Sequence, residues 1–387
     1  MPFDHAPSPT VDDALLARLT ADFASRAAEH DAAASFPFEN FAALHEAGLL
    51  GLVDPPSVGG KGAGLRDALA VVAAVARGEP STALVLTLQY ILHHQMWRST
   101  RWPADLRDRI GRTAVTDGAV INALRVEPEL GTPLRGGLPA TVARKVPGGW
   151  RISGTKLYST GVPVLAWLSV WARSDEAEPR VGAWVVPAGT DGVEIRPVWN
   201  HIGMRASGSH EVVFHDVFIT DDLVGDIRRP GEWAAPDDVG SAWTAALFSA
   251  VYDAIAQAAR DWLLGFLRTR TPTTLGGAAL STVPRLQEAV GGIEALLQTN
   301  RVLLRSLAAS VDAGAPPPPH ESLLVKYTVT NNAIAAVSKA VEITGNPGLT
   351  RDNPLERHYR DVLCARVHAP PNDMIRTTAG RAALAGG

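Results

Sequence analysis

The 387-residue chain predicts an α+β protein in three parts: a helical domain over residues 1–118, a β domain of barrel or sandwich type over 119–232, and a four-helix bundle over 233–387. Three observations predict this. Apolar residues recur at helical spacing near both ends. Between them stand short β-branched or aromatic runs separated by Gly, Pro, Asp and Asn. The length suits two to three domains at roughly 150 residues each.

In the first part, Thr10 to Asp13 has the spacing of a capping box, with Asp a weaker partner than Glu at its end. Leu15, Leu19 and Phe23 follow at i+4 and predict one buried stripe. The Ala/Val-rich run over 67–76 reads as a core helix. Ser81 is the expected cap of the next helix, which carries Leu84, Leu88, Ile91 and Leu92. His93 and His94 are neighbours on that helix and face different sides, so they are poorly placed to share a metal.

The middle part predicts strands over 150–160, 166–172, 182–186, 193–199 and 211–219. No long amphipathic helix lies between these runs, which weighs against parallel βαβ units. Helices are then expected over 245–269, 286–308 and 323–344, and a fourth starts at Pro354 and runs to His368. Their stops are Arg270-Thr-Pro, the proline run before His320, and Gly345-Asn-Pro-Gly348, where Pro removes a donor and fixes φ.

The formal charge is −4, from 36 basic and 40 acidic side chains. A dedicated nucleic-acid or anionic-membrane binder needs a basic excess, so neither partner is expected. The single cysteine, Cys364, excludes an intramolecular disulfide and a multi-cysteine metal centre, and no metal site is expected. The first ten residues lack a basic and apolar leader pattern, and the apolar run over 68–76 is too short to span a bilayer. A cytoplasmic location is the expectation.

Five local motifs, in order, carry a family resemblance. Arg125-Val-Glu-Pro-Glu-Leu-Gly-Thr132 resembles the Thr-Glu-Pro-x-x-Gly-Ser stretch of the acyl-CoA dehydrogenase superfamily of flavoproteins. Gly154-Thr-Lys-Leu-Tyr-Ser-Thr-Gly161 resembles its Gly-x-Lys-x-aromatic-x-Thr strand, and Gly203 to Val217 the end of its β domain. Gly345-Asn-Pro-Gly348 resembles its Gly-Gly-x-Gly loop, and Leu355 to Asp361 its Arg-x-x-Arg-Asp stretch.

The resemblance implies FAD, with FMN as the other flavin. It implies Thr160 near flavin N5, Tyr158 covering the ring, and Glu127 and Thr132 beside the cofactor. It implies that Arg270, Gln287, Gly345 and Gly348 meet cofactor across a subunit interface, and hence a homotetramer. A fixed guanidinium fork such as that of Arg270 suits phosphate oxygens. The usual Phe-Gly after that Arg is replaced here by Thr271-Pro-Thr-Thr-Leu-Gly-Gly277, and read from the residues alone Arg270 is equally a cation at a helix C-terminus.

The resemblance implies α,β-dehydrogenation of an acyl thioester, with hydride passing to flavin N5 and an electron-transfer flavoprotein as electron acceptor. That reaction needs a carboxylate base whose pKa burial raises toward neutrality. The family's two base positions fall on Ala369 and near Thr244, and no Glu follows Glu356; Asp373 is the nearest later carboxylate. The segment Arg366-Val-His-Ala-Pro-Pro371 instead resembles the superfamily's flavin-dependent monooxygenase branch, which places a His here. On that alternative, His368, Asn122 and Thr160 surround the reacting edge of a flavin reduced by a separate reductase, with an aromatic or heterocyclic substrate. An imidazole there could hydrogen-bond oxygen at the flavin or shuttle a proton. A non-catalytic relative that keeps the fold as a binding module is the third reading.

Overall fold

The computed structural model describes residues 11–130, 137–233 and 237–385; Thr10 and Thr132 lie outside them. Five helices come first: α1 (Asp13–Ala33), α2 (Phe38–Glu46), α3 (Leu65–Gly78), α4 (Pro80–Arg98) and α5 (Ala104–Thr116). The cap of α1 is Asp12, whose carboxylate accepts the Ala14 amide at 3.0 Å, in place of the expected Thr10 box. Leu16, Leu19, Phe23 and Ala27 form its buried stripe, one position off the expected start at Leu15. The cap of α4 is Glu79 and not Ser81: its carboxylate accepts the amides of Ser81 at 3.1 Å and Thr82 at 2.6 Å. Pro80 at the first helical position moves the start of α4 back, so Ser81 is already inside it.

Eight strands follow: β1 (Val120–Leu124), β2 (Val142–Val146), β3 (Gly149–Ser159), β4 (Leu165–Ser174), β5 (Val181–Pro187), β6 (Val193–Arg196), β7 (His210–Thr220) and β8 (Val224–Arg228). They make one hydrogen-bonded sheet in the order β6-β7-β3-β2-β4-β5-β8, with β1 also on β4. The β1–β4 and β2–β4 pairs are parallel. The expected strand over 193–199 ends at Arg196.

Four long or medium helices close the chain, α6 (Asp238–Thr269), α7 (Pro284–Asp312), α8 (Pro319–Thr344) and α9 (Leu355–Leu363), before a short α10 (Asn372–Leu384). The predicted fourth helix therefore stops before His368, which lies in the loop leading to α10. Helix α6 is the core of the molecule. Its Ala245, Ala246, Ala250 and Ala254 are at most 1% exposed, and small side chains let neighbouring helices approach closely. It packs against α3, α4, α7, α8 and α9. The two helical segments are also tied by polar contacts. The carboxylate of Asp312, the last residue of α7, accepts the Leu65 and Arg66 amides at 2.7 and 3.0 Å and so caps α3. Arg77 of α3 donates to Gln257 and Asp261 of α6.

Candidate active site

A cavity of about 760 Å³ lies where the sheet meets both helical segments. One wall is a face of the sheet. Parallel pairing sets Ala123 of β1 beside Ser169 of β4, and antiparallel pairing sets Trp171 beside Ala183 of β5. Side chains two residues apart share a face, so Arg125 joins Ala123 there. The opposite wall is the start of α6, including Gly240, Ser241 and Thr244, together with Pro370 and Ile375 near the C-terminus. Arg98, Arg101, Trp102 and Arg228 complete the rim.

Thr244, one of the family's base positions, donates its hydroxyl to the Gly240 carbonyl at 2.9 Å. Ala369, the other, adjoins Pro370 in the wall. Two carboxylates line the cavity, Asp226 and Asp237. Asp226 is held by Arg228 at 2.8 Å and by the Ser99 hydroxyl at 3.2 Å. Asp237 caps α6 through the Gly240 amide and pairs with Arg98 at 3.2 Å. Asp373 is exposed in the first turn of α10.

Along α6, Thr244, Phe248 and Tyr252 stand at i+4 intervals on one face. That face leads from the cavity to His368. The imidazole stacks on Phe248 with centroids 5.1 Å apart, and its Nδ1 meets the Tyr252 hydroxyl. Burial, with the Lys326 cation nearby, pushes the His368 pKa down to about 3. Burial also holds Tyr252 well above its usual value. The phenol therefore keeps its proton, the ring is neutral, and one hydrogen bond joins the Tyr252 oxygen to Nδ1, its direction following the ring tautomer. Lys326 fixes the loop from below, donating to the carbonyls of His368 at 2.9 Å and Pro370 at 3.0 Å. Burial lowers the Lys326 pKa to about 8.

Asn122, Tyr158 and Thr160 also come together. The Asn122 amide donates to the Thr160 carbonyl at 3.0 Å. The Thr160 hydroxyl bonds Ser209 at 2.9 Å, and Ser209 bonds Ser207 at 2.8 Å. Register on β7 shifts between Lys156 and Ser159, and Tyr158 adopts φ +53°. A left-handed conformation is strained for a bulky residue and is held only when its surroundings demand it. Here it turns the ring outward: Tyr158 is 53% exposed, set edge-on to Trp199 and His201.

Glu127 is set into the frame of the sheet. Its carboxylate, 1% exposed, accepts Lys156 Nζ at 2.6 Å and the amides of Ala140 and Thr141 at 2.7 and 3.0 Å. These bonds tie the loop before β2 to β3. Burial lowers the Lys156 pKa to about 8 despite this partner.

Within one chain, Arg270, Gln287, Gly345 and Gly348 do not join this group. Arg270 is exposed just past α6, and its carbonyl accepts the Leu280 amide. Gln287 is exposed and donates to the Ser281 carbonyl at 2.9 Å. Gly345 ends α8 at φ +65°, and Gly348 is buried against Thr344, where a Cβ would come within 2.2 Å of the hydroxyl. Cys364 is half-buried after α9, and burial pushes its thiol up to about 12, so it is no nucleophile. His93 pairs with Asp54 at 2.6 Å and His94 stacks on Trp243 at 3.9 Å, so the two rings point to different partners. Among the described residues no cluster of His, Cys, Asp and Glu could hold a metal.

Sequence reasoning missed Arg125, Trp171, Phe248, Tyr252, Lys326 and Ser209. The i+4 series from Thr244 was a usable signal for Phe248 and Tyr252. The others become neighbours only through sheet register or helix packing.

Helices, a sheet and helices again, with a cavity where they meet, define the class of fold to which the chain belongs. Its N-terminal, middle and C-terminal segments match the models of the acyl-CoA dehydrogenase N-terminal domain (residues 12–99), middle domain (125–217) and C-terminal domain (245–384). The chain is 32% identical to the putative acyl-CoA dehydrogenase YdbM of Bacillus subtilis, over 92% of each chain. It is 30% identical to an L-evernosamine nitrososynthase of Micromonospora sp., over 92% of this chain and 85% of the relative. KijD3, solved with FMN and a dTDP-linked amino-keto sugar, superposes with a TM-score of 0.84 at 28% identity, over 98% of this chain and 95% of the other. The chain belongs to the acyl-CoA dehydrogenase family, and it is an oxidoreductase.

Proposed function

We propose that the chain is a flavin-dependent oxygenase: two electrons from reduced flavin and one O₂ give an oxygenated small molecule and water. The observation that carries this is the absence of a spare base. Thr244 and Ala369 occupy the family's base positions, and both carboxylates lining the cavity are already paired with arginine. α,β-Dehydrogenation needs a carboxylate free to take a proton; oxygenation does not.

The residues fit a flavin. Tyr158 offers an exposed aromatic plate, and the Thr160–Ser209–Ser207 hydroxyls lie in line beyond it. The buried Ser159 hydroxyl has no partner among the described residues. Tyr158 would cover one face of the ring, and Thr160 with Asn122 would hold its polar edge. Arg270, Gln287, Gly345 and Gly348 of a second copy would meet the remainder, in a homotetramer. Bound there, FAD or FMN would supply the redox chemistry, recharged by a separate reductase.

The chain's own residues govern protons and water. His368 is neutral at pH 7 and its Nδ1 is engaged by Tyr252, so Nε2 is the ring nitrogen left to meet a bound molecule. Trp171 and Trp102 give the cavity apolar walls, and Phe248 stacks on His368; apolar surface excludes water and strengthens the remaining polar contacts. Likeness to a nitrososynthase at 30% identity supports this reading. Likeness at 32% identity to a putative acyl-CoA dehydrogenase favours the alternative of thioester dehydrogenation.

The test loads the purified chain with FMN or FAD and compares two reactions. Reduced, loaded protein given O₂ and a panel of amines, sulfur compounds and aromatic heterocycles should yield products heavier by one oxygen atom. Bleaching of the visible flavin bands by acyl-CoA thioesters without air would overturn the proposal in favour of dehydrogenation. Failure to bind either flavin would overturn both.

A further inference from the structure

We propose that Arg125 recognises an anionic group on the substrate, so that the cavity takes a small molecule carrying a carboxylate, sulfo or phosphate group beside a flat apolar body. This rests on reading the cavity as the substrate site.

The argument is a charge accounting of the cavity wall. Four arginines line it. Arg98 has Asp237 at 3.2 Å, Arg101 has Glu232 at 3.4 Å, and Arg228 has Asp226 at 2.8 Å. Arg125 has no hydrogen-bonded or ionic partner among the described residues. Its guanidinium lies 4.9 Å over the Trp171 ring, and that contact leaves the donor edge unused. Glu127, two residues further along the chain, is engaged by Lys156 and two backbone amides.

A half-buried cation without a counter-ion is costly, and an incoming anion offsets that cost. Burial lowers the Arg125 pKa from its ordinary value, which records the same cost; an arginine nevertheless stays charged at neutral pH. Guanidinium presents a planar fork of donors that matches two oxygens of a carboxylate, sulfo or phosphate group. Trp171 meets Trp233 edge-on at 4.7 Å, and the two rings provide apolar surface beside that fork. A carboxylate at Thr244 or Ala369 would repel such a ligand, and neither position holds one. A volume of about 760 Å³ accommodates a small organic anion.

The test uses flavin-loaded protein and four probes of one ring size: benzoate, benzenesulfonate, phenyl phosphate and neutral benzamide. Binding is read from tryptophan fluorescence and displacement of the flavin bands, without turnover. At least one anion should bind tenfold or more tightly than benzamide, and the rank among the three names the preferred group. Arg125→Gln should remove that preference while leaving benzamide binding and flavin content within twofold, and Arg125→Lys should keep part of it. Equal binding of anions and benzamide by the unaltered protein would overturn the proposal, whatever the variants do. So would an Arg125→Gln protein that retains the anion preference. A loss of folding in Arg125→Gln with no anion preference in the unaltered protein would assign Arg125 a structural role. Arg125-dependent anion binding without oxygenation would remove the proposed reaction and leave the assignment of Arg125 standing.

Discussion

Replacing Lys156 by Met tests the frame that presents Tyr158 and Thr160. Lys156 is fully buried, donates to Glu127 at 2.6 Å, and also reaches the Trp171 carbonyl. The variant leaves the Glu127 carboxylate 1% exposed without its cation. Stripping one partner from a buried ion pair costs about 3–5 kcal/mol. Two amide bonds, from Ala140 and Thr141, remain and hold the result toward the lower figure. The carboxylate can also take up a proton, which caps the cost. We expect a loss of about 3 kcal/mol. Urea unfolding followed by the fluorescence of the ten tryptophans measures it. The double variant Lys156→Met/Glu127→Gln should recover at least half, because no uncompensated charge remains. A loss under about 1 kcal/mol, or a double variant no better than the single, would refute the view that a buried charge pair holds this strand.

Tyr252→Phe should leave flavin content unchanged and slow oxygen-dependent turnover severalfold, because His368 Nδ1 loses the hydroxyl that orients the ring; the pH profile of kcat is the readout. Stability should also fall on acidification. His368 and His358 are lowered to about 3 and His94 to about 4, so between pH 6.5 and about 4 the unfolded chain takes up protons that the folded chain refuses. Asp361, raised by burial to about 7, works in the opposite sense, as does Asp253. Three protons against one or two give a slope of about 1–3 kcal/mol per pH unit from these groups, and His201 and His210, also lowered by burial, add in the same sense. Urea midpoints at pH 6.5 and 4.5 should show the decline; an unchanged midpoint would contradict it.

The order of helices, strands and helices was legible in the sequence because periodicity is a local property and the core follows it. Helix starts were less so: Glu79 displaced Ser81 as the cap of α4 because Pro80 fits the first helical turn. Helix α10 went unread, since among its described residues Ile375 alone is buried and its pattern is weak. The motif order pointed to Asn122, Tyr158, Thr160 and His368, of which the structure brings Asn122 and Thr160 into contact and sets His368 against Tyr252. It also suggested Glu127, whose actual partners depend on how the loop before β2 returns to β3. The link between Thr244, Phe248, Tyr252 and His368 joins residues more than a hundred positions apart. Arg125 stood in a recognised motif, but that none of the described residues pairs with it is a property of the whole cavity wall, which no local pattern encodes.

The cap that Asp312 places on α3 bears on how the chain can be cut. Leu65 and Arg66 depend on a residue at the end of α7, 247 and 246 positions away. Arg77 leans on α6 in the same way. The helices before and after the sheet thus belong to one layer that the chain enters, leaves and re-enters. The sheet is a loop-out from that layer, anchored at both ends. Boundaries convenient for naming parts of the polypeptide are not seams along which it would separate, and a fragment ending ahead of the sheet would carry α3 without its stopper.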